Sequence, residues 1–183
     1  MAGSHKKVIV RRMTGEVLPG YLPLAGLVRH GNPGWVDLLD LGGRVVAIPL
    51  TELKMVSYVR DFNLNDTVNP ERLLRKTFLA RPRTEGLWVR LTFRSGEVLE
   101  GLAPMDVGLL DGLMDDRGLF LMPPDARSNT QRMYVPRQAV EELQLVAVIT
   151  APSKRKPLDA GKAKESLQED LFSAPLPPGA RPN

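Results

Sequence analysis

A six-residue phrase occurs twice in this chain. Gly15-Glu16-Val17-Leu18-Pro19-Gly20 returns as Gly96-Glu97-Val98-Leu99-Glu100-Gly101, 81 residues on, with five of the six positions identical. A chain that repeats itself builds one small unit more than once rather than a single large core. The flanks agree in kind. Val8 and Val10 align with Val89 and Leu91, alternating as half-buried strands do. Thr14-Gly15 and Ser95-Gly96 stand where a hairpin reverses, and glycine there supplies the positive φ of a tight turn.

The correspondence runs further. Trp35-Val36-Asp37-Leu38-Leu39 answers Gly118-Leu119-Phe120-Leu121-Met122, and Val45–Pro49 answers Arg132–Pro136. Leu53, Val56 and Val59 then answer Val140, Leu143 and Val146 at a constant offset of 87. The drift from 81 to 87 puts the extra residues in loops, where they are tolerated. Each unit therefore reads as five short strands, with a one-turn helix before the last. Short strands at this spacing favour a closed or nearly closed barrel, because an open sheet leaves aggregation-prone edges.

The stretch Val89–Gly101 resembles the first motif of the Sm-like small barrel, and Tyr134-Val135-Pro136 with Val140 and Leu143 sits where the second motif lies. Both units also resemble an uncharacterised bacterial domain sometimes found beside PilZ domains. The resemblance implies an SH3-like fold over roughly residues 7–149, with Pro70–Lys76 as the short helix such barrels carry. It does not carry over the RNA pocket. The loop Leu102–Gly108 has no Asn, and Val135-Pro136-Arg137-Gln138 has no Gly. The Asp/Asn-x-Ser-x-x-Gly motif of PilZ nucleotide binding is absent too.

Four segments are expected: barrel one over 6–62, a linker with a short helix over 63–86, barrel two over 87–150, and a disordered tail over 151–183. The tail is rich in Pro and small residues and poor in bulky apolar side chains, a composition that does not offset its ordering entropy. With no Cys, disulfide and thiolate chemistry are excluded. No apolar run approaches the ~20 residues needed to span a bilayer. A cytoplasmic protein without a membrane partner is expected.

The candidate chemistry is sparse. His5 and His30 have no zinc-ligand spacing, and the carboxylates Asp106, Asp111, Asp115 and Asp116 lack the alternation of a calcium loop. No acid/base, nucleophile or metal set assembles, so neither an enzyme nor a cofactor is expected. Trp35, Trp88 and Phe93 are expected in a core or between barrels.

Charge is uneven. Residues 1–86 hold 13 Lys/Arg against 8 Asp/Glu (+5), and residues 87–150 hold 6 against 9 (−3). Arg72, Arg75 and Lys76, followed by Arg81 and Arg83, are the candidate phosphate contacts, with a solvated helix face as the plainer explanation. In the tail, Gln168, Asp170, Leu171 and Phe172 resemble the pentapeptide by which bacterial replication proteins dock on the sliding clamp, Glu169 departing from it. A chance amphipathic turn is the plainer explanation of so short a match. The expected role is a non-enzymatic binding or adaptor module for another protein. Nucleic-acid binding through the basic half, or clamp tethering through the tail, is the alternative.

Overall fold

The computed structural model describes residues 5–23, 27, 34–106, 117–125 and 127–150. The expected tail and its Gln168–Phe172 peptide lie outside these, as do His30, Asp111, Asp115 and Asp116.

Among the described residues, ten strands run in the order β1 (His5–Arg12), β2 (Val17–Pro23), β3 (Trp35–Asp40), β4 (Val45–Pro49), β5 (Leu53–Val59), β6 (Gly86–Phe93), β7 (Val98–Ala103), β8 (Gly118–Leu121), β9 (Thr130–Pro136) and β10 (Val140–Ile149). Pro49 and Pro136 end their ladders, and one-turn 3-10 helices, Leu50–Glu52 and Arg137–Ala139, redirect the chain into β5 and β10. All the pairing among the described strands is antiparallel.

The registers of the two halves match. Val8 faces Gly20 and Val10 faces Leu18; 81 residues later Val89 faces Gly101 and Leu91 faces Leu99. Val10 faces Val56 and Val8 faces Tyr58, as Leu91 faces Leu143 and Val89 faces Leu145. Single hydrogen bonds recur as well. The amide of Met13 donates to Glu52 O and that of Arg94 to Ala139 O; the amide of Leu50 donates to Gly34 O and that of Arg137 to Arg117 O.

The shared phrase now has a structural reason. Gly15 and Gly96 turn the hairpins at φ of +90° and +79°. Gly20 and Gly101 let the next strand approach. A Cβ on Gly20 would lie 2.6 Å from the carbonyl oxygen of Leu39, and one on Gly101 2.9 Å from Cβ of Leu121.

The two expected five-stranded units share a sheet. One sheet has seven strands, β4-β3-β2-β1-β5-β9-β8, and the other three, β10-β6-β7, with a single bridge from Leu102 to Met122. The ladder between β5 and β9 crosses from one half to the other: Val56 faces Tyr134, Ser57 faces Met133 and Tyr58 faces Arg132. The reason is edge chemistry. Alone, β5 would expose a row of unpaired amides and carbonyls, and β9 covers it.

The shared ribbon serves two cores, because alternate residues of a strand point to opposite faces. The first core gathers Val8, Val10, Leu22, Val36, Leu38, Ile48, Leu53 and Val56, and takes in Tyr134 from β9. The second gathers Val89, Leu91, Phe93, Leu99, Leu121, Met133 and Val135, and takes in Met55 from β5. Burial pushes the Tyr134 phenol up to about 12, against the Arg117 charge. Its hydroxyl donates to Arg117 O at 2.8 Å. Phe93 is buried as expected, whereas Trp35 is 38% exposed on β3 and joins neither core.

The expected linker helix does not form. Residues 60–85 are turns and extended chain. Glu71 is buried, and Arg11 of β1 grips its carboxylate through two bonds of 2.5 and 2.8 Å. The Asn69 side chain accepts from the amide of Leu73, and Arg72 takes φ of 50°. These local and long-range bonds replace the helical ladder. Farther on, the amide of Glu100 donates to Lys76 O at 2.6 Å, fixing the segment to β7.

Candidate anion-binding cleft

Among the clefts that flank residues 60–85, two carry charged rims. The larger, about 720 Å³, is lined by Arg60, Asp61, Asn63, Arg72, Leu74, Arg75, Pro124, Asp125, Arg127, Ser128 and Asn129. It sits where β5 leaves the sheet and the chain returns into β9. Asn129 is its keystone. Its Oδ1 accepts from the amide of Asp61 at 2.9 Å, and its Nδ2 donates to Asp61 O at 2.5 Å and to Pro70 O at 3.0 Å. Asn63 Nδ2 also donates to Pro70 O, at 2.9 Å, and Thr130 Oγ1 donates to Glu71 O at 3.1 Å. On the other rim, the Asp125 carboxylate accepts from the amide of Arg127, forming an Asx turn. Three segments distant in sequence are thereby held as one wall.

Four arginines, Arg60, Arg72, Arg75 and Arg127, are exposed along this cleft. Among the described residues, none of the four guanidinium groups forms an ion pair. Asp61, the nearest acid in sequence, is drawn to Lys7 at 3.1 Å. A guanidinium offers a planar fork of donors that matches a phosphate or carboxylate. Among the described residues, no aromatic ring lines the cleft, so they offer charge and hydrogen bonds rather than a stacking platform.

The second cleft, about 330 Å³, has a floor of Met55, Leu73, Phe93 and Leu99 and a polar rim that includes Arg11, Lys54, Glu71, Lys76 and Glu97. Its rim charges are already matched. Glu97 meets Lys54 at 2.7 Å and Lys76 at 3.0 Å, and these two bonds hold its carboxyl at about 2. Nearby, Glu100 is buried on β7. Burial pushes its carboxyl up, but bonds from the Phe78 amide, Arg90 and Trp88 outweigh this and hold it below the usual carboxylate range.

The five basic residues expected to act together are divided. Arg72 and Arg75 line the large cleft; Lys76 lies in the smaller one, paired with Glu97; Arg81 and Arg83 are exposed outside both. Arg60 and Arg127 escape a reading of charge runs, because each is alone in its own stretch. Only the pairing of β5 with β9 brings them to one place. Among the described residues, no group of three His, Asp or Glu side chains is placed to hold a metal. Among them, too, no helix is long and apolar enough to cross a membrane.

A model of a family of unknown function, DUF6982, matches residues 4–147. No curated protein and no solved structure matches the chain.

Proposed function

We propose that this chain, which belongs to the DUF6982 family, is a non-enzymatic binding module whose large cleft takes the phosphate backbone of a nucleic acid. The observation that carries the reading is the convergence of Arg60, Arg72, Arg75 and Arg127, none in an ion pair among the described residues, on one braced cleft that Asp61 and Asp125 also line. Surface cations are ordinarily scattered or paired, and four unpaired guanidinium groups repel one another unless an anion joins them. The chain places them with exposed side chains on a wall stiffened by Asn129, Asn63 and Thr130, so little ordering remains for binding.

Without an aromatic lining, recognition rests on phosphates and tolerates sequence. The strand order β4-β3-β2-β1-β5, and the same bonding pattern at the later offset, support reading the body as two Sm-like small barrels joined along β5 and β9. The cleft belongs to the join and not to either barrel, which makes it a different surface from the pocket of RNA-binding Sm proteins.

The test is fluorescence anisotropy with labelled single-stranded and duplex oligonucleotides across a salt series. Binding weakens with salt, and Arg60→Ala, Arg75→Ala and Arg127→Ala each lower the salt slope by roughly one. None of these three has the positive φ of Arg72, so none strains the backbone. Salt-independent binding, or a triple variant that binds as the parent does, overturns the reading. Preference for an acidic peptide over both oligonucleotides would move the module to the protein-adaptor class.

A further inference from the structure

The internal junction has counterparts at two sheet edges, β4 and β10, each with one neighbour among the described strands. We propose that the free edge of β10 pairs with the free edge of β4 of a second copy, in the register that joins β5 to β9 within the chain.

The mapping follows from the matched registers. Residues of β5 correspond to β10 at an offset of 87, and residues of β4 correspond to β9 at the same offset. The internal pairs Val56–Tyr134, Ser57–Met133 and Tyr58–Arg132 therefore predict Leu143–Ala47, Gln144–Val46 and Leu145–Val45 between copies. Both strands are available. β4 ends the seven-stranded sheet and β10 ends the three-stranded one, each with one described neighbour.

Both edges carry exposed apolar residues. Leu143 and Leu145 lie opposite Leu91 and Val89, so they share the face of the second core. Yet they are 48% and 55% exposed, where Val56 of β5 is fully buried. On β4, Val45 is 66% exposed. The proposed register brings Leu145 and Val45 together.

The outer edge departs most from the inner at one place. The counterpart of Met55 is Glu142, and the counterpart of its core neighbour Phe93 is Arg12. Arg12 is already paired within its own copy with Glu16 at 3.1 Å and Glu52 at 3.8 Å, so this place adds charge and not apolar contact to the junction. The counterpart of Tyr134 is Ala47, so the outer junction lacks the aromatic plug of the inner one and forms a weaker, concentration-dependent contact. Because β10 and β4 are different surfaces, the contact is head-to-tail and either closes a ring or continues as a chain.

Sedimentation of the full chain over a concentration series tests this. Wild type is expected to rise above the 20.2 kDa monomer as concentration increases. Leu145→Lys and Val45→Lys, both at exposed positions, each remain monomeric alone, and their mixture recovers a dimer, because each variant keeps the edge the other lacks. A wild type of monomer mass at every concentration overturns the proposal. So do single variants that still assemble, or a mixture that stays monomeric. Circular dichroism of both variants, unchanged from wild type, confirms that they fold.

Discussion

Strands β5 and β10 occupy corresponding places in the two halves and meet opposite fates. Both follow a proline and a single 3-10 turn, and both pair with the first strand of their half in the same register. Val56 of β5 is buried, while its counterpart Leu143 is half exposed. The difference is the neighbour. β5 is covered by β9, whose Tyr134 closes the first core, and among the described strands β10 has nothing beyond it. A side chain's pattern thus sets which face it takes, whereas its burial is decided by what the next strand brings. The same comparison explains the cleft, since β5 runs out beside β9 and delivers Arg60 to Arg127.

The largest break in that comparison comes from the plug. Tyr134→Ala should destabilise by about 3–5 kcal/mol, the range for losing a buried aromatic, as read from urea unfolding. Ala47, its counterpart, should accept Ser with no change beyond about 0.5 kcal/mol. Next, Val56→Ala should cost about 2 kcal/mol and Leu143→Ala under about 1 kcal/mol in the monomer. Equal costs at the two sites would mean that β9 does not cover β5.

The buried carboxylates sharpen the contrast. Glu100 anchors the 76–78 segment to the second half, and its counterpart in the first half is Pro19, which carries no charge. Glu100→Ala orphans the Phe78 amide and the Trp88 indole N–H and should cost about 2 kcal/mol. The Trp88 fluorescence reports the loosened contact with Phe78.

The smallest effect is at Glu97, which ties Lys54 of β5 to Lys76. Its carboxyl is depressed from 4.5 to about 2. A depressed carboxyl stabilises the fold above its unfolded value, and that stability is lost as pH falls from about 4.5 through about 2. Glu97→Gln should flatten the acid limb of a stability profile slightly. Its partial exposure keeps the effect under about 1 kcal/mol.

Much of the strand plan is legible in the chain. The hexapeptide places two hairpin turns, and the prolines place two strand ends, because turn chemistry is local. The joining of β5 to β9 is not legible, since no residue of either strand names its partner across seventy positions. The helix expected over 70–76 fails for a related reason. Leu73, Leu74 and the basic residues suit a helix, but Arg11 captures Glu71 from sixty residues away, and tertiary bonds override a weak local preference. Half of the cleft, Arg72 and Arg75, follows from charge density. The other half needed the fold.

Amide hydrogen exchange across β5 and β10 tests the joined architecture most directly. It is best measured on the Leu145→Lys variant, so that no second copy covers β10. An edge strand bonds every second amide to its single neighbour, and an interior strand bonds all of them. The account predicts protection at successive residues through Val56, Ser57 and Tyr58, and protection at alternate residues through Leu143, Gln144 and Leu145. Alternating protection in β5 as well would contradict the ladder between β5 and β9, and with it the cleft that the ladder builds.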